Sequence, residues 1–111
     1  MVASRHWTWD MWAQLIKMQL KPGKDTALMD QQLRAAEQQG SGLVRTIVTQ
    51  DQKDPSQAYI LVVFESEEKA RAREQDPRRQ EMLVEARATM ADILAGPPEF
   101  IDLTVVEEWA G

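Results

Sequence analysis

Apolar and polar positions along the chain repeat with two periods, and the changes of period mark the elements. In residues 11–20 the even positions Trp12, Gln14, Ile16, Met18 and Leu20 are apolar except for one amide, while Lys17 and Gln19 fall on the other side. Successive side chains of a strand point to opposite faces, so this run predicts a first strand with one buried face. Lys21-Pro22-Gly23 ends it with turn chemistry. Over residues 25–39 the period lengthens, and Leu28, Met29, Leu33 and Ala36 share one helical face. Asp25 is placed to cap that helix, and Gly40 to take the left-handed conformation after its end. Residues 43–50, LVRTIVTQ, are rich in β-branched side chains and predict a second strand. A polar connection with Pro55 separates it from a third, residues 58–65.

That third run, AYILVVFE, does not alternate. A strand apolar on both sides is normally covered on both faces of its sheet. Ser66 followed by Glu67 and Glu68 opens a short helix to about Gln75, with a capping hydroxyl and acids at its positive end. Asp76-Pro77 restarts the helix, with aspartate at the cap and proline in the first turn. Met82, Leu83, Ala86, Met90, Ile93 and Leu94 then form a stripe about 120° wide. Gly96-Pro97-Pro98 stops that helix, and residues 99–109, EFIDLTVVEEW, predict a fourth strand.

The order β-α-β-β-α-β predicts an α+β, ferredoxin-like domain spanning residues 1–111, with residues 1–10 as an N-terminal arm. Its four-stranded antiparallel sheet carries helices on one face. The other face would then be an apolar patch larger than a soluble monomer usually exposes. A second copy of the chain, related by two-fold symmetry, is the economical cover, so a homodimer is expected.

Composition narrows the function. Of 111 residues, 43% are hydrophobic and 28% charged, a globular balance. Eighteen acids against thirteen bases give a net charge of −5. Such a chain repels phosphate backbones, which argues against nucleic acid as a partner and against an RNA-binding module of the same strand order. Cysteine is absent, which removes disulfides, thiolate nucleophiles and Cys-ligated metals. With a single histidine as well, no metal and no cofactor are expected. No run approaches the ~18 apolar residues of a membrane helix, and the N-terminus lacks a signal-type apolar core. The expected compartment is the cytoplasm, without membrane contact.

Lys21-Pro22-Gly23-Lys24 closing the first strand, the strand Tyr59 to Phe64 followed by Glu65-Ser66-Glu67-Glu68, and then Asp76-Pro77 resemble the antibiotic biosynthesis monooxygenase (ABM) family of the dimeric α/β-barrel superfamily. The resemblance runs from about Met11 to Trp109. It implies a homodimer whose two sheets form a barrel, with a cleft between sheet and helices in each subunit. It also implies cofactor-free oxygenation of a small aromatic or quinol-type substrate. Haem-degrading relatives use a strand-one asparagine, a strand-three tryptophan and a helix histidine. Here those positions read Ile16 and Phe64, and residues 66–95 contain no histidine. Haem ligation in that manner is therefore not expected, and Phe64 keeps a stacking surface while losing an N–H donor.

The residues expected to bind substrate are Trp12, Gln14, Ile16, Phe64, Met82 and Met90. Gln14 is a polar group on an apolar strand face, suited to a ligand oxygen or equally to a structural partner. Met82, Met90 and Phe64 adapt to irregular ligands, and also make ordinary core. Trp7 and Trp9 could join Trp12 under an aromatic ligand, or pack on the body or the partner subunit. Arg45 could meet an anionic substrate or stand in solvent. Lys69, Arg71, Arg73, Arg78 and Arg79, interleaved with acids, read as a solvated helix face. No catalytic residue is assigned; His6, Tyr59 and Glu65 are the candidates to move a proton. A non-catalytic homodimer binding a small apolar ligand is the alternative, and isomerase or decarboxylase chemistry also occurs on this fold.

Overall fold

A computed structural model describes residues 10–111 of the chain. His6, Trp7 and Trp9 lie outside them. In chain order the elements are β1 (Trp12–Gln19), α1 (Ala27–Ala35), β2 (Leu43–Gln50), β3 (Gln57–Phe64), α2 (Glu67–Gln75), α3 (Pro77–Met82), α4 (Val84–Ile93) and β4 (Glu99–Thr104). The strands form one antiparallel sheet in the order β2-β3-β1-β4, the ferredoxin-like arrangement.

The period-2 pattern of β1 and β3 decides the two faces. Opposite pairs Trp12–Phe64, Gln14–Val62, Ile16–Ile60 and Met18–Ala58 point to the helices. All of these except Gln14 build or pack on the main core, with Met29, Ala70, Ile93 and Leu94. The intervening positions Ala13, Leu15, Leu61 and Val63 point away from the helices. Met11, Ala13 and Val63 form a second, small cluster there, packed with Leu61 and Val105. The third strand is thus apolar on both faces, and helices cover only one.

Local chemistry sets the helix starts. The Ser66 hydroxyl accepts from the Lys69 N–H at 3.2 Å. The Asp76 carboxylate accepts from the Arg78 N–H at 2.9 Å, with Pro77 in the first turn. Asp25 accepts from the Ala27 N–H at 2.9 Å, while Thr26, at the cap itself, donates to Asp30 instead.

Three expectations need correction. The first helix ends at Ala35, not residue 39: the Ala36 N–H is shared between the carbonyls four and three back, the Glu37 N–H bonds only three back, and the Glu37 side chain turns to other partners. Gly40 does adopt φ +78°, five residues beyond Ala35. The helix predicted through Met82 to Leu94 is interrupted at Leu83, so its stripe is not continuous: Ala86 and Ile93 are buried, whereas Met82 turns outward. The fourth strand stops at Thr104 rather than at Trp109. An edge strand pairs only as far as its neighbour runs, and Thr104 faces Trp12, the first residue of β1. One further backbone bond, Val105 N–H to the Met11 carbonyl at 3.4 Å, marks the end of pairing.

Candidate functional site

Between sheet and helices lies a cleft of about 530 Å³, a size usual for small-molecule sites. Its floor is the helix-facing side of the sheet: Ile16 and Met18 of β1, Ile60, Val62 and Phe64 of β3, with Phe100 of β4 at one side. Asp30, Leu33 and Arg34 of α1, with Glu37 just beyond it, form one wall. Arg73 of α2, Arg79 of α3 and Ala86, Arg87 and Met90 of α4 form the other. The floor is apolar because strand parity sends these side chains inward; the walls are polar because the helices meet the sheet only along narrow stripes.

Of the six residues expected to bind substrate, Gln14, Ile16, Phe64 and Met90 border this cleft. Trp12 and Met82 do not. Trp12 is buried at the start of β1, its ring 6.0 Å from that of Phe64 and 4.9 Å beneath the Arg71 guanidinium. Met82 is half exposed, and its sulfur accepts from the Gln38 amide at 3.7 Å. Gln14 donates to Asp102 at 3.0 Å, and Arg71 donates to the other oxygen of the same carboxylate at 3.0 Å. These two hydrogen bonds, the amide first, hold the Asp102 carboxyl below its ordinary value. Tyr59 sits opposite Lys17 and Thr49 on the far face of the sheet, and Glu65 is paired with Lys69 at 2.6 Å, so neither borders the cleft.

Reading Arg73 and Arg79 as solvated is corrected by their burial. Arg79 is only 8% exposed. Its guanidinium donates to the Ala36 carbonyl at 3.4 Å and stands 3.7 Å from Glu37. Arg73 grips Glu37 through Nε at 3.1 and 3.2 Å and lies 5.0 Å over the Phe64 ring. The Ser41 hydroxyl donates to the same carboxylate at 2.6 Å. Burial pushes the Glu37 carboxyl up, but hydrogen bonds from Arg73 and Ser41 and the charges of both arginines outweigh it and hold it below its ordinary value. Arg79 is pushed down, first by burial and then by the charge of Arg73. Asp30 also borders the cleft; its Oδ2 accepts from Thr26 at 2.7 Å, and its buried Oδ1 has no partner among the described residues. None of this was visible in local spacing, since Glu37 and Arg73 are 36 residues apart. Among the described residues no three histidine, aspartate or glutamate side chains gather where they could hold a metal ion. No described helix is long and apolar enough to cross a membrane.

A family model for antibiotic biosynthesis monooxygenases matches residues 11–84. No curated protein sequence matches the chain. Solved structures that it resembles include one from Chloroflexus aurantiacus classed among these monooxygenases, with 24% identity over 90% of this chain and 97% of that one, TM-score 0.67. Another, from Caulobacter crescentus, is 16% identical over 96% of this chain and 100% of that one, TM-score 0.71. A third is SnoaB, a cofactor-independent oxygenase from Streptomyces nogalater, at 13% identity over 89% of this chain and 96% of that one, TM-score 0.67. At these identities the likeness concerns the fold.

Proposed function

The chain belongs to the antibiotic biosynthesis monooxygenase family, and from that premise we propose that it is a homodimeric, cofactor-free monooxygenase acting on a small aromatic or quinol-type ring in the cleft. The observation that carries this reading is the cleft itself: about 530 Å³ with an apolar floor of Ile16, Ile60, Val62 and Phe64. A planar ring fits such a floor, and Phe64 offers a face for stacking. In an anthrone-type substrate, one carbon exchanges two hydrogens for one oxygen atom of dioxygen. The second oxygen atom leaves as water, so the substrate supplies the electrons. The protein's part is to orient the ring, exclude water and accept a proton. Asp30 is the acceptor we assign: it borders the cleft and accepts only from the Thr26 hydroxyl among the described residues, whereas both Glu37 oxygens are engaged by Arg73 and Ser41.

Oxygen consumption with 9-anthrone tests the reading. One dioxygen per anthrone is expected, with anthraquinone as product. Asp30→Asn should lower the rate on the order of 100-fold, in the range of lost general-base catalysis, while leaving ring binding unchanged. A second reading rests on the same carboxylate: Asp30 Oδ1 is shielded from solvent, which suits a protein that binds a ring without oxidising it. Binding without oxygen uptake selects that reading.

A further inference from the structure

Charge on the cleft runs against charge on the chain. The whole sequence has 18 acids and 13 bases, yet at the cleft Arg34, Arg73, Arg79 and Arg87 outnumber three carboxylates; Arg45, opposite Val63, belongs to the far face of the sheet. The pairing pattern sharpens the contrast. Arg71 and Arg78, which lie outside it, are each matched by a carboxylate within 3.2 Å. Arg34 and Arg87, which border it, have no carboxylate within 4.0 Å among the described residues. Arg87 donates only to the neutral Gln80 amide, at 2.6 Å.

Arg79 is the most demanding of the set. A guanidinium carries five N–H donors, and a buried one needs acceptors and a counter-charge. Arg79 is 92% buried by its 8% exposure, and it has one long bond to a backbone carbonyl. Its nearest carboxylate, Glu37, is already used by Arg73 and by Ser41. The nearby charges of Arg73 and Arg87 repel it, against the attraction of Glu37 and Glu74, and with burial the net effect disfavours its charge. A ligand oxyanion in the cleft would supply what the protein withholds.

We infer that the ligand of this cleft is a ring bearing a carboxylate, its ring on the Ile16–Phe64 floor and its anion on Arg79, with Arg87 alongside. The inference names the substrate class of the proposed monooxygenase and so rests on the same cleft, but its test reads binding and needs no turnover. Anthraquinone-2-carboxylate and the neutral 2-(hydroxymethyl)anthraquinone serve as unreactive, matched probes, titrated against intrinsic tryptophan fluorescence. The acid should bind on the order of tenfold more tightly, the size of one charge-assisted hydrogen bond. Arg79→Gln should bring the two probes to within about twofold, while Arg78→Gln keeps the preference. If Arg79→Gln fails to fold, the double variant Arg34→Gln/Arg87→Gln takes its place and should cut the preference severalfold. Equal binding of the two probes by the wild type overturns the inference, as does a preference that survives these substitutions. Anthrone oxidation with equal probe binding would leave the monooxygenase reading standing without the anionic ligand. Selective binding of the acid without any oxygen uptake would do the reverse.

Discussion

Glu37 joins three elements through one carboxylate: it sits just beyond α1, accepts from Arg73 of α2 and faces Arg79 of α3. Removing its charge leaves the buried Arg79 and the half-buried Arg73 without their shared counter-charge, so Glu37→Gln should destabilise the fold by about 2 kcal/mol. The pH dependence follows from the lowered carboxyl. Its ordinary value is 4.5 and its folded value is lower. The folded protein therefore holds fewer protons on this group than the unfolded chain does, and the stabilisation is complete above pH 4.5. It is lost as pH falls through the folded value. Urea melts should show a constant gap between wild type and Glu37→Gln from pH 7 to about 5, and a shrinking gap below 4.5. A gap that grows on acidification contradicts the assignment. Sequence could not show this cluster. The pair Arg71 and Glu67 is four apart on one helix and legible by spacing, at 3.2 Å; Glu37 and Arg73 meet only because α1 and α2 cross the same sheet.

Elements governed by local rules were the most legible. Residues 43–50 form β2 as predicted, because β-branched runs bounded by glycine and a polar turn leave few alternatives. Ser66 and Asp76 cap α2 and α3 because a hydroxyl or carboxylate at that position bonds a free N–H regardless of what surrounds it. Ser66→Ala should accordingly cost about 1 kcal/mol, read as a lowered urea midpoint with an unchanged slope, and should leave the cleft intact. Gly42 shows a constraint that local rules miss. Its φ is +86°, and a Cβ there would stand 2.7 Å from the Lys69 Cβ, so the turn into β2 is held against α2 by the absence of a side chain. The interruption at Leu83 and the early end of β4 were likewise illegible. The first depends on how α3 packs against the segment after α1, with Arg79 on the Ala36 carbonyl and Met82 on Gln38, the second on where β1 begins. The misplacement of Met82 follows from the first of these.

For the molecule as a whole, the two-sided apolarity of β3 was the most informative sequence signal, and the topology shows what it leaves open. Ile47 of β2, Leu61 of β3, Leu15 of β1, and Ile101 and Leu103 of β4 line the face turned from the helices. Ile47 is 40% exposed and Leu103 37%. A contiguous set of this kind is unusual on a soluble monomer, and it supports the proposed homodimer, in which two such faces meet about a two-fold axis. Sequence parity alone could not say which of Val62 and Val63 turns toward a partner. Register does: Val62 lies opposite Gln14 on the cleft side, and Val63 opposite Ala13 on the far side. Val63 is already 8% exposed beneath Met11 and Val105, so Leu61, half-buried and central on the open face, is the sharper probe. Leu61→Asp should sediment as a monomer with its secondary structure retained, since the carboxylate faces water once the copies separate and desolvation opposes their reunion. Val62→Asp should instead lose the fold, because its charge enters the main core whatever the oligomeric state. A Leu61→Asp protein that still sediments as a dimer would place the interface elsewhere than on this sheet face.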